Sequence, residues 1–142
     1  MYKIRIVCND SDLDEVEQIR KEAFHLKENA INTFKKHIEN GKMIAFSLET
    51  EEDEKIGGCY LGEYNNTLYV YYLFLKESYQ RSGKGIGRRF LLEIFNHKKA
   101  IELILKHNYE YSSLHPTCTK LTEMYKEIGY QEQTKGYYVK RI

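Results

Sequence analysis

With 142 residues and 42% hydrophobic side chains, the chain can bury a sizeable core without disulfide or metal staples, so one domain over residues 1–142 and no metal site are expected. Its 22 basic and 21 acidic side chains leave a formal charge of +1, which provides no global field to recommend nucleic acid or an anionic membrane as partner. Cys8, Cys59 and Cys118 are an odd set without C-x-x-C spacing, and neither an N-terminal signal region nor a membrane-length apolar run is evident, so a reducing cytoplasm is the expected compartment.

Tyr2, Ile4 and Ile6 alternate with polar neighbours, the period of a first strand, and Ser11 or Asp12 is placed to cap the helix that follows. Leu13, Val16, Ile19 and Ala23 recur at helical spacing. After a break near Asn29, Ile31, Phe34 and Ile38 form a second stripe that ends at Gly41. Strands are predicted over Met43–Leu48 and Ile56–Leu61, joined by the solvated carboxylates of Glu51-Glu52-Asp53-Glu54. Asn65 and Asn66 mark a hairpin, and Leu68–Leu75 is apolar and aromatic enough to predict a strand buried on both faces.

The pattern from Ile86 to His107 would make a helix of roughly 33 Å at about 1.5 Å per residue if unbroken. The polar run Asn96-His97-Lys98-Lys99 separates Phe90, Leu91 and Ile94 from Ile101, Ile104 and Leu105, and so predicts a break. Tyr109–Leu114 suits a fifth strand stopped by Pro116. Thr119 then opens a short helix with Leu121, Met124, Tyr125 and Ile128 on one face and Gly129 at its end. Tyr130–Ile142 divides into two short strands near Lys135-Gly136.

The most informative stretch lies between the fourth strand and the long helical pattern. Gly83, Gly85 and Gly87 alternate there, so the backbone can approach an anion without Cβ obstruction, and the first amides of the next helix carry the positive end of its dipole. Arg81, Lys84, Arg88 and Arg89 add charge, and the turn reads as a pyrophosphate cradle. A P-loop is excluded, because Ser78 stands where its first glycine would be and Gly85 follows the lysine; the even glycine spacing excludes the dinucleotide fingerprint. The plain alternative is a flexible strand-to-helix turn.

Gln80, Gly83 and Gly85 fit the form Gln/Arg-x-x-Gly-x-Gly/Ala, and the segment resembles motif A of the GNAT superfamily of N-acetyltransferases. Gly85-Ile86-Gly87-Arg88-Arg89-Phe90-Leu91 is similar to that motif's usual continuation, in a register displaced by two residues. Met124-Tyr125-Lys126-Glu127-Ile128-Gly129-Tyr130 resembles the family's Leu-Tyr-Glu-Lys-Leu-Gly-Phe segment. The resemblance implies a mixed α/β fold, a central twisted mixed sheet with helices on both faces, in which the fourth and fifth strands splay apart. Acetyl-CoA would enter that V, with its pantetheine paired to backbone groups of Leu73, Phe74 and Leu75. Its pyrophosphate would rest on Gln80, Arg81, Ser82, Gly83, Lys84, Gly85, Ile86 and Gly87. Cys118 stands where many members carry a cofactor-contacting asparagine; the plain alternative is a buried, inert thiol.

The activity implied is acetyl transfer from acetyl-CoA to a primary amine, a small molecule rather than a protein, by direct attack in a ternary complex without an acyl-enzyme. Tyr125 matches the family tyrosine that protonates the departing thiolate, although its place on an apolar helix face equally suits a core tyrosine. The fourth strand lacks the glutamate that some members use as base, which leaves Glu63, His115 or a water chain; Tyr71 and Tyr72 could line the acceptor pocket under the first helical pair. Two rival readings are a non-catalytic acyl-CoA-binding sensor or scaffold, and a nucleic-acid binder using Arg81–Arg89 and some of the 13 tyrosines; balanced charge disfavours the latter. Tyrosine-rich strands would suit a homodimer.

Overall fold

The computed structural model describes residues 2–28, 30–80 and 85–142. Its elements run β1 (Tyr2–Ile6), α1 (Asp10–Ala23), α2 (Ile31–Glu39), β2 (Met43–Thr50), β3 (Lys55–Tyr64), β4 (Thr67–Leu75), α3 (Ile86–Phe95), α4 (Lys98–His107), β5 (Tyr111–Leu114), α5 (Thr119–Glu127), β6 (Gln131–Thr134) and β7 (Tyr137–Arg141). A 3₁₀ turn, Glu77–Tyr79, follows β4. The strands form one mixed seven-stranded sheet in the order β1-β2-β3-β4-β5-β7-β6; β4 and β5 are parallel and the other neighbours antiparallel.

Several boundaries differ from the expectation, each for a local reason. The cap of α1 is Asn9, whose extended backbone lets its side-chain oxygen accept from Asp12 N at 2.8 Å; Ser11 and Asp12 lie inside the helix, where Asp10 and Asp12 face the positive end of the dipole. The fifth strand starts at Tyr111 rather than Tyr109, because Asn108 takes a left-handed conformation to cap α4 and Tyr109 N still bonds Ile104 O. The expected break in the long helical pattern falls at Asn96-His97, and His97 caps α4 by accepting from Lys99 N at 3.1 Å.

Each face of the sheet packs its own cluster. Val16, Ile19 and Phe34 of α1 and α2 meet Ala45, Tyr60 and Phe74 on one face; Phe90, Leu91, Ile94, Ala100 and Tyr125 meet Cys59, Leu61, Leu73 and Leu114 on the other. A bulge links the two patterns. Tyr60 pairs with Tyr72 but Leu61 pairs with Val70, so Tyr71 is the extra residue in β4. Leu68 and Val70 therefore share a cluster with Leu73 and Leu75, while Tyr72 and Phe74 face α1 and α2. The expectation of a strand buried on both faces fails at this point, where Tyr71 is 37% exposed.

Gly58 shows how closely α1 sits on the sheet: a Cβ there would lie 2.6 Å from the Phe74 ring and 2.8 Å from Val16. Gly58→Val should destabilise the fold by about 1–3 kcal/mol through overpacking, read as a lower urea midpoint at unchanged m-value.

Candidate active site

The site begins where two strands part. β4 and β5 pair only at Leu68↔Ser112 and Tyr69↔Ser113, so the rest of β4 and the chain after Leu114 diverge. Strand alternation decides which backbone groups face the gap. Phe74 directs its carbonyl at β3, where a Cβ on Gly57 would come within 2.5 Å of it, and Lys76 N bonds Ile56 O at 2.7 Å. Leu73 and Leu75 therefore turn toward the gap, and Phe74 does not. Gln80 does not reach outward: its Nε2 donates to Leu75 O at 2.8 Å and ties the turn to the end of β4.

At that end α3 begins. Gly85 is its cap in a left-handed conformation (φ 62°), which favours glycine. Arg89 N is bonded to Gly85 O, so the amides of Ile86, Gly87 and Arg88 precede the helical ladder and point along its positive end. A Cβ on Gly87 would stand 3.8 Å from Leu75 Cδ1, which places these amides beside the end of β4. Arg88 is committed to Glu127 at 3.0 Å and links α3 to α5. Arg81, Ser82, Gly83 and Lys84 lie outside the described residues.

On the α3 face of the sheet, α5 contributes Tyr125 to the cluster that Leu73 and Leu75 join. Tyr125 is 4% exposed and packs edge-on against Tyr130, with ring centroids 5.7 Å apart. Burial pushes its hydroxyl well above the usual tyrosine range, reinforced by the Cys59 thiol, Tyr130 and Cys118, so it is held in the proton-donating form. Cys59, opposite Leu73 on β3, is itself raised by burial. Cys118 is exposed at the start of α5, contrary to the buried-thiol alternative; its carbonyl accepts from both Thr122 N and Thr122 Oγ1.

His115 lies across the sheet from Tyr125. Its Nδ1 is 2.5 Å from the Tyr69 hydroxyl, and its ring is within 5.0–5.7 Å of Tyr137, Tyr69 and Tyr64. Burial pushes Tyr69 up to about 12. Glu63 is not brought to this group: it pairs with Leu68 on the α3 face, and its carboxylate accepts from Tyr109 Oη at 2.5 Å. Tyr71 donates to the Glu63 carbonyl at 2.9 Å, and Tyr72 packs against Phe24, Phe34 and Tyr60.

Two features carry no local motif. Tyr69 meets His115 only because β4 and β5 are neighbours. Glu17 and Arg20 lie beside the apolar stripe of α1, a faint sign of burial, and form a buried pair with Arg20 Nε 2.7 Å from Glu17 Oε1. Tyr60 donates to the same oxygen at 2.6 Å. A groove of 320 Å³ lined by Ile6, Ile38, Met43, Ile44 and Leu103 lies two strands away from the gap.

The described residues thus form a mixed sheet with two parting parallel strands and a helix N-terminus at the end of one of them. The chain has the GNAT N-acetyltransferase fold, as comparison with solved structures shows. It is similar over 100% of its length, and 94% of theirs, to the ribosomal-protein-S18-alanine N-acetyltransferase from Escherichia coli, at TM-score 0.73 and 17% identity. The PaiA N-acetyltransferase from Thermoplasma acidophilum, in complex with coenzyme A, matches at TM-score 0.71 and 19% identity, with 100% and 99% of the two chains covered. Spermidine N-acetyltransferase from Vibrio cholerae, in complex with CoA and spermine, matches at 0.71 and 18%, covering 99% and 92%. No protein-family profile and no curated protein sequence matches the chain. No helix among the described residues is long and apolar enough to cross a membrane.

Tyr69 and Tyr125 keep their protons in the folded chain beyond the ordinary value of 10.0. Their contribution to stability is complete below that pH and is lost as pH rises toward the folded values, so urea midpoints measured from about pH 9 to 12 should fall above pH 10.

Proposed function

We propose that residues 1–142 act as one N-acetyltransferase domain that moves an acetyl group from acetyl-CoA to a primary amine by direct attack in a ternary complex. The observation that carries this reading is the β4–β5 gap, with the Leu73 backbone along it, the α3 amides at one end and Tyr125 in the cluster behind Leu73 and Leu75. CoA in the PaiA and spermidine N-acetyltransferase structures supports an acyl-CoA donor, and the similar structures include enzymes named for a small amine and for a ribosomal protein; a small-molecule amine is the acceptor proposed for this chain.

Acetyl-CoA supplies the activated thioester. The turn from Gln80 to Gly87, including Arg81, Ser82, Gly83 and Lys84, holds its pyrophosphate, chiefly through the amides of Ile86 and Gly87. Leu73 and Leu75 face the pantetheine through their backbones, and Cys118 lies at the rim on α5. The amine nitrogen forms its bond to the thioester carbon and the carbon–sulfur bond breaks. His115 receives the amine proton, and Tyr125 donates its own to the departing sulfur. Glu63, held by Tyr109, supports the strand end rather than the chemistry. The expected compartment is the cytoplasm, where the three unpaired cysteines stay reduced.

The test is release of CoA thiol from acetyl-CoA across a panel of amines; tight CoA binding with no release from any amine would instead favour a sensor or scaffold. Tyr125→Phe keeps the ring packing and removes the donor, so kcat should fall roughly 10²-fold with acetyl-CoA affinity little changed. Gly87→Val, whose Cβ would make only an ordinary van der Waals contact with Leu75 Cδ1 at 3.8 Å, should leave the fold intact and raise the calorimetric Kd for acetyl-CoA by about 10-fold or more by obstructing the anion's approach to the backbone.

A further inference from the structure

Arg20 is fully buried, yet Nη1 has no hydrogen-bond partner among the described residues. A guanidinium offers two edges to carboxylates. One is satisfied by Glu17, which takes Nε at 2.7 Å and Nη2 at 3.3 Å. On the other, Glu28 reaches only Nη2, at 2.6 Å, and Nη1 is left bare. Arg20 Cζ lies over the rings of Phe34 at 4.9 Å and Tyr72 at 4.5 Å, which are inclined at 78° to each other and meet it on adjacent sides.

Glu28 is a poor permanent partner for this edge. It belongs to the irregular connection between α1 and α2, and its side chain is 47% exposed while Arg20 is 0% exposed. A buried donor without an acceptor costs more than a hydrogen bond contributes, so the edge favours an occupant that satisfies both nitrogens. A free carboxylate can do so with two parallel bonds, and replacing Glu28 with it leaves the local charge unchanged. Tyr72, whose ring lies under Arg20, immediately precedes Leu73, whose backbone turns to the β4–β5 gap. Arg20 is thus on the α1–α2 face of the sheet, the face that also carries Tyr69 and His115.

The geometry points to Arg20 as the anchor for the carboxylate of an amino-acid-like acceptor, with Glu28 as a built-in stand-in that the substrate displaces. This rests on the acetyltransferase reading, which it narrows to amines that also carry a carboxylate. The guanidinium positions the acceptor and takes no part in proton transfer.

The experiment compares free amino acids with their carboxamides as acceptors, by CoA release, in wild type, Glu28→Ala and Arg20→Lys. Wild type should use the acids at lower KM than the amides. Glu28→Ala, an exposed change, should lower KM for the acids several-fold by removing the competitor. Arg20→Lys loses the fork and should raise KM for the acids by about 10- to 100-fold, the change that one lost charge-assisted hydrogen bond brings, with less effect on the amides. Equal use of acids and amides, or an unchanged or raised KM in Glu28→Ala, would overturn the anchor while leaving acetyl transfer intact. If no amine releases CoA, calorimetric titration of N-acetyl amino acids into the same proteins decides the point: carboxylate-dependent heat that strengthens in Glu28→Ala supports the anchor, and its absence overturns it.

Discussion

The parting of β4 from β5 is the constraint on which the rest of this molecule turns. β5 is four residues long and is held by β7 along its whole length, from Tyr111↔Arg141 to Leu114↔Tyr138, but by β4 at only two positions. It therefore follows β7, and Pro116, without an amide proton, cannot extend the ladder. β4 continues on its other side with β3 as far as Leu75. Backbone groups that would normally bond a neighbouring strand consequently face a cleft, and buried or half-buried peptide groups need partners. Gln80 meets that need at Leu75, and the proposed pantetheine would meet it at Leu73.

The bulge at Tyr71 makes the cleft two-sided. Because one extra residue shifts the alternation, Tyr72 and Phe74 point to α1 and α2 while Leu73 and Leu75 point to α3 and α5. Tyr125 and the Tyr69–His115 pair are thus on opposite faces of the sheet, the placement on which the proposed donor and acceptor roles depend. The same shift delivers Tyr72 to Arg20. An ion group this deeply buried is retained at an energetic cost: removing one partner from such a pair destabilises a protein by about 3–5 kcal/mol, whereas a packed apolar replacement is often neutral. A binding role explains why a guanidinium occupies that position.

Identities of 17–19% accompany TM-scores of 0.71–0.73. The physics of the fold accounts for that combination. A sheet needs alternation and helices need stripes, which many apolar residues supply, and a ligand bound through amides constrains side chains only where a Cβ would intervene or where φ is positive, as at Gly85. In the proposed function, specificity for the acceptor would rest instead on side chains of the α1–α2 unit and the tyrosine-rich face.

Local order was legible in the residues. The stripe of Leu13, Val16 and Ile19, the break at Asn96-His97 and the glycine-marked start of α3 follow from periodicity, capping and the freedom of residues without a Cβ, all of which act over a few positions. The same short range placed Tyr125 on a buried helix face. It could not place Glu63 behind Tyr109, set His115 against Tyr69, expose Cys118 or leave one nitrogen of Arg20 without a partner among the described residues, because those facts depend on tertiary contacts. Nor could periodicity locate the bulge at Tyr71, since Tyr69, Tyr71 and Tyr72 are equally at home on either face until the pairing with β3 slips by one residue. The sequence by itself determined the elements and the backbone-lined end of the site; which side chains meet around the reacting centre was decided by the tertiary structure, through the competition of β7 and β4 for β5.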